Sequence, residues 1–206
     1  MTTTRKIELM TCTIAMLLEN EALPERLTGD TFREIMSGVL NVGQTVDGSV
    51  AITSTRDQME VRLSPSKVDV RDLSGQPKRV PKEIPRVITK VWDLLQDPVM
   101  KSYGINFVLE VPMAEPKVWL GDRFLATSLK SELDDLSSDQ ISISFEQKIK
   151  TQTIRFQAVR DSRININSNA SQTAESLPAL EQLQDELAAQ YEALIALLDK
   201  FGVKSQ

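Results

Sequence analysis

A nine-residue phrase returns in this chain with four positions identical, and the repeat limits the fold more than any other feature. Pro24-Glu25-Arg26-Leu27-Thr28-Gly29-Asp30-Thr31-Phe32 returns 92 positions later as Pro116-Lys117-Val118-Trp119-Leu120-Gly121-Asp122-Arg123-Phe124, a shared Pro-x-x-x-x-Gly-Asp-x-Phe. Four identities in nine positions carry weight because their surroundings recur in the same order. One folding unit used twice accounts for that order.

Ile7 to Leu18 is apolar on both alternations, as a strand covered on both faces would be. After the Pro24–Gly29 segment, Asp30 stands where a helix N-cap belongs, and Phe32, Ile35, Met36, Val39 and Leu40 follow at helical spacing. Three short strands are expected at 49–54, 59–63 and 67–73, joined by tight turns. A Pro-rich connection then leads to an amphipathic helix carrying Ile84, Val87, Ile88, Val91, Trp92, Leu94 and Leu95, which stops near Asp97-Pro98.

The second half replays the series. Ile105–Val111 is the strand, Asp122 the expected cap of a helix bearing Phe124, Leu125, Leu129 and Leu133, and strands follow at 141–145, 153–159 and 163–167. Val61-Arg62-Leu63 aligns with Ile154-Arg155-Phe156 at a spacing of 93, and Val68-Asp69-Val70 with Ile164-Asn165-Ile166 at 96. A final helix spans 176–201 and ends at Gly202, a C′ residue. The fold class is therefore α+β: an internally duplicated β-α-β-β-β-α unit, antiparallel sheet with helices packed on one face, and a long C-terminal helix. The halves, 1–98 and 99–206, are expected to pack as one pseudo-twofold unit.

Conformational freedom at glycine and the affinity of a carboxylate for free helix amides explain the Gly-Asp phrase as a helix start in each half. The functional alternative is a pair of carboxylates, Asp30 and Asp122, converging on a pocket between the halves. In the closing helix, Leu180, Leu183, Leu187, Tyr191, Leu194 and Leu198 fall three or four residues apart, and Leu177, Ile195 and Leu197 widen the stripe. One face of such a helix covers the chain's own sheet. The surplus apolar positions are candidates for self-association with the same helix of a second copy.

The chain has no histidine, which removes Ser-His and Cys-His nucleophile pairs, an imidazole base and histidine-bound zinc. Its single cysteine, Cys12, sits in an apolar stretch and reads as a buried thiol. No phosphate loop or dinucleotide fingerprint is present. No catalytic residue, metal ligand or cofactor is assigned. A net charge of −5 gives no general attraction to nucleic acid, no apolar run is long enough to span a bilayer, and a cytoplasmic location is expected.

Two local features stand out against that balance. Lys78, Arg79, Lys82 and Arg86 form the most basic stretch, read as a solvated connector or, alternatively, a phosphate-contacting loop. Trp119 has no aromatic counterpart in the first half and is, with those four cations, a candidate partner surface. The acidic cluster Glu132, Asp134, Asp135 and Asp139 reads as a solvated helix end. In order of elements alone, the repeated unit resembles the repeat inside sliding-clamp domains, a resemblance that carries no motif and implies no residue roles. The expected function is a non-catalytic protein-interaction or assembly protein, binding itself as a homodimer or another protein. Two alternatives stand beside it: a small-molecule binder or histidine-independent enzyme with a pocket between the halves, and a nucleic-acid accessory protein using the 78–86 segment.

Overall fold

The structure is a computed structural model that describes residues 6–21, 29–44, 49–125, 140–147, 150–159 and 162–203. The first half runs β1 (Glu8–Leu18), α1 (Gly29–Arg33), β2 (Leu40–Gln44), β3 (Val50–Ser54), β4 (Met59–Ser64), β5 (Lys67–Asp72) and α2 (Val80–Trp92). The second runs β6 (Met100–Pro112), α3 (Pro116–Phe124), β7 (Gln140–Gln147), β8 (Lys150–Val159), β9 (Arg163–Thr173) and α4 (Leu180–Lys200).

The nine described strands form one antiparallel sheet in the order β2-β3-β4-β5-β1-β6-β9-β8-β7. The halves meet where β1 pairs with β6, Ile14 lying opposite Ile105. Both strands are long and central, which explains their apolar character. Cys12, Ile14 and Met16 on β1 and Ile105, Phe107, Leu109 and Val111 on β6 point to one face and are buried. A register shift between Leu9 and Thr11 brings Leu9 into the same core despite its odd spacing from Cys12. The helices lie on that face. α2 packs on β5 and β1 and against α4, while α3 packs on β8 and β7. At the end of α4, Gly202 adopts φ +80°, its amide bonds the Asp199 carbonyl, and Val203 N–H bonds the Leu198 carbonyl. This closes the helix as a Schellman cap, as the sequence leads one to expect.

Several expectations change. Helical spacing from Phe32 to Leu40 predicts a long helix, but α1 ends at Arg33 and Gly38, at φ +85°, turns the chain into an additional strand, β2. Phe32, Ile35 and Met36 are still buried, whereas Val39 is 76% exposed. The second Gly-Asp phrase does not open a helix. α3 starts at Pro116, whose ring presets φ, so Gly121 and Asp122 fall in its last turns. Leu125 is already extended, and Leu129, Leu133 and the acidic cluster from Glu132 to Asp139 lie outside the described residues. The pairing registers also adjust the repeat alignment. Leu63 faces Val68 and its counterpart Phe156 faces Ile166, so Val68 corresponds to Ile166, two residues beyond the Ile164 chosen by sequence.

Candidate functional site

Residues that alternate with the core positions point away from the helices and form a second, predominantly polar sheet face. Its central cross-strand row reads Thr53, Glu60, Arg71, Thr13, Asn106, Asn169, Thr153 and Ser144, each opposite the next. The midpoint of this row is the β1–β6 seam. On the first-half side the face is a ladder of opposite charges. Arg62 reaches Glu60 at 3.3 Å, Arg71 lies 3.6 Å from Glu60 and donates to Thr13 Oγ1, and Lys67 meets Asp69 at 2.9 Å.

The second-half side has a different chemistry. The positions of Glu60, Arg71 and Thr13 are taken by Thr153, Asn169 and Asn106, and the position of Asp69, opposite Arg62, is taken by Asn167, opposite Arg155. Amides and hydroxyls replace the charges, and Ser144 and Thr153 hydroxyls pair at 3.1 Å. Arg155 remains, exposed, and lines a depression of about 480 Å³ with Asn106, Thr153, Asn167 and Asn169. Among the described residues, no other charged residue lines it.

A second hollow, of about 370 Å³, opens on the helical side between the halves. Leu9 and Val80 come from the first half and Phe107, Leu187 and Tyr191 from the second; Lys78 and Glu192 are exposed at its border. The Phe107 and Tyr191 rings lie 5.5 Å apart at 56°. Burial pushes the Tyr191 phenol up, so it stays neutral. Neither Asp30 nor Asp122 lines this hollow. Asp30 pairs with Arg33 three residues on, within its own short helix.

The sequence-predicted residues separate into groups. Leu183, Leu187, Leu194 and Leu198 are at most 1% exposed within the chain, Tyr191 is half-buried, and Leu180 is 38% exposed. The four buried leucines fill the intrachain core and offer no surface to a second copy. Trp119 lies on α3, inside an aromatic cluster: 5.8 Å from Phe124 and 6.2 Å from Phe156, both of which also contact Phe201. The basic stretch divides between a turn and a helix: Lys78 and Arg79 precede α2, which begins at Val80 and carries Lys82 and Arg86. Arg79 donates to the Asp57 carbonyl and lies 3.7 Å from the buried Asp72 carboxylate; Arg86 grips Glu83 at 2.9 Å and the Ile35 carbonyl at 3.0 Å. Both arginines are committed to intrachain contacts, leaving Lys78 and Lys82 exposed.

Cys12 is fully buried, and desolvation together with the nearby Asp72 carboxylate pushes its thiol well up, so it is no nucleophile. Among the described residues, no cluster of acidic and cysteine side chains could hold a metal ion, and no helix is long and apolar enough to cross a membrane. Sequence reasoning missed the polar face. Part of the signal was present in the Arg62/Arg155 alignment, where Glu60 gives way to Thr153; the replacement of Asp69 by Asn167 emerges only from the strand registers. No family model and no curated protein matches the chain. Among solved structures, TBP from Methanococcus jannaschii is similar at 12% identity over 95% of this chain and 98% of that one, with a TM-score of 0.38.

Proposed function

We propose that this chain is a non-catalytic interaction protein, built from two copies of one ancestral unit, that engages a protein partner through the helix-free face of its sheet. One observation carries the reading: the second-half face is largely a field of amide and hydroxyl side chains, on which, among the described residues, Arg163 is paired with Glu110 and Arg155 is exposed without a counter-charge. Such a surface offers donors and acceptors to a partner while carrying little of the charge that a nucleic-acid surface needs. It also lacks aromatic side chains on which bases could stack, among the described residues.

Site-specific photo-crosslinking in the native host tests this. A benzophenone side chain at Thr151, exposed on the polar face, is expected to capture a discrete protein; one at Gln182, exposed on α4, is not. Capture of a second copy of the chain at Thr151 would keep the reading in its homodimeric form. Adducts at Gln182 and none at Thr151 would overturn it.

The hollow between the halves favours a second reading, a binder of a small apolar molecule, since its volume lies within the range of ligand pockets. Ala188 also lines the hollow, and filling it by Ala188→Trp should abolish the stabilisation that a compact aromatic such as indole gives the wild-type chain. No stabilisation of the wild type by any member of an apolar panel would remove this reading.

A further inference from the structure

We infer that Arg155 is the centre of a carboxylate-binding site, and that the ligand is an acidic side chain on the partner that the polar face engages. The inference rests on the proposed use of that face and adds the chemistry that it recognises. Its warrant is an internal comparison. Arg62 and Arg155 occupy corresponding positions on β4 and β8, on the same face, each opposite the corresponding residue of the next strand. Around Arg62 the chain supplies its own carboxylates: Glu60 at 3.3 Å on the same strand, and Asp69 directly opposite. Around Arg155 the two corresponding residues are Thr153 and Asn167, which keep hydrogen-bonding capacity and lose the negative charge.

A guanidinium left without a counter-charge on an otherwise neutral surface is set up to take one from outside. Among the described residues, Arg155 has no ion-pair or hydrogen-bond partner, whereas Arg163, four residues further along on the neighbouring strand, is held by Glu110 at 2.9 Å. Strand geometry places Asn167 about 5 Å from Arg155 between Cβ atoms, and Thr153 about 7 Å along the strand. An incoming carboxylate can therefore accept from the guanidinium and from a neighbouring amide or hydroxyl at once, as charge-assisted bonds that water does not fully replace. A monovalent group matches the single positive charge, and the first half shows that this scaffold seats an arginine–carboxylate pair. The hollow of about 480 Å³ leaves room for such a side chain. A dianionic phosphate would leave one charge unmatched.

The test is a nitrogen-detected NMR titration of the full chain with N-acetyl-glutamate N-methylamide, its neutral glutamine analogue and inorganic phosphate. The glutamate compound is expected to move the Arg155 Nε and the Asn167 and Asn169 side-chain amide signals with millimolar affinity, at least fivefold more tightly than the glutamine compound. Arg155→Gln should remove the effect and Arg62→Gln should leave it. Asn167→Asp, which restores the carboxylate found at Asp69, should weaken binding at least fivefold in a folded chain. Equal response to both analogues, persistence in Arg155→Gln, or tenfold tighter phosphate binding would each overturn the inference. Crosslinking at Thr151 without glutamate binding would sink the carboxylate site alone. Glutamate binding without crosslinking would sink the proposed function and leave the site standing.

Discussion

The Tyr103 hydroxyl donates to the Glu186 carboxylate at 2.5 Å and joins β6 to α4 across 83 positions of sequence. Gln172 on β9 donates to the same hydroxyl, and Gln190 donates to Glu186 at 2.7 Å, so strand, neighbouring strand and helix share one polar cluster beneath the start of α4. Tyr103 is 2% exposed. Burial, and then the adjacent Glu186, push its phenol far up, and burial does the same for Tyr191.

Tyr103→Phe keeps the ring and deletes the hydroxyl, leaving Gln172 and Glu186 short of a partner. A loss of about 1–3 kcal/mol in urea-unfolding free energy is expected. Because the phenol is held above its unfolded value, its contribution is complete below about pH 10 and is lost as pH rises further. Absorbance at 295 nm near pH 10 should show less tyrosinate in the folded chain than in the unfolded chain, the difference reporting the raised phenols of Tyr103 and Tyr191.

Asp57 behaves in the opposite sense. Partial burial pushes its carboxyl up, but the Ser37 hydroxyl and amide, donating at 2.6 and 2.5 Å, together with the charges of Arg86 and Arg79, outweigh this and hold it below the usual carboxylate range. A lowered folded value gives stability that is present above about pH 4 and is lost as pH falls through the folded value. The melting-temperature gap between wild type and Asp57→Asn should therefore be largest near neutral pH and narrow below pH 4. A gap independent of pH would show that the carboxylate charge has no part in fixing the turn.

Eight of the nine described strands and the two long helices were legible because their cause is periodic burial: Cys12, Ile14 and Met16 on β1, and Ile105, Phe107, Leu109 and Val111 on β6, alternate at the two-residue spacing that one covered face requires. Helix starts in the short elements were not. The Gly-Asp phrase does not by itself mark a helix start: its second copy falls near the end of α3, which begins at Pro116, whose ring presets a helical φ. The leucine stripe of α4 was visible, but a stripe alone does not say what covers it, and the cover is the chain's own sheet and α2. The contrast between Arg62 and Arg155 needed the strand registers, since Asp69 and Asn167 stand opposite these arginines only once β5 and β9 are placed.

Gly75 and Gly202 offer a controlled comparison. Both have positive φ, +66° and +80°, but a methyl group at Gly75 would lie 2.8 Å from the Leu9 carbonyl oxygen, whereas none of the described residues comes within 4 Å of one at Gly202. Gly202→Ala should cost about 1–2 kcal/mol, the left-handed strain of one residue. Gly75→Ala adds a backbone collision to the same strain and should lower the unfolding midpoint by clearly more. Equal losses would mean that the Leu9 end of β1 moves aside freely.

Leu187 and Leu194 provide the sharpest test of what α4 does. At 0% and 1% exposure they sit between α4 and the rest of the core, so replacing both by serine removes two buried side chains and strands two hydroxyls. Truncation of a buried leucine costs about 2–5 kcal/mol at each site, and the pair approaches the whole stability of an ordinary domain. The double variant should lose its cooperative unfolding transition, while Leu180→Ser, at a site 38% exposed, should stay within about 0.5 kcal/mol of wild type. Light scattering coupled to size exclusion, with circular dichroism on the same samples, separates the outcomes. If a dimeric wild type became a folded monomer on loss of both leucines, α4 would be an assembly surface. Unfolding of the double variant beside an unchanged Leu180→Ser chain would place the helix in the core and leave the polar sheet face as the surface for partners.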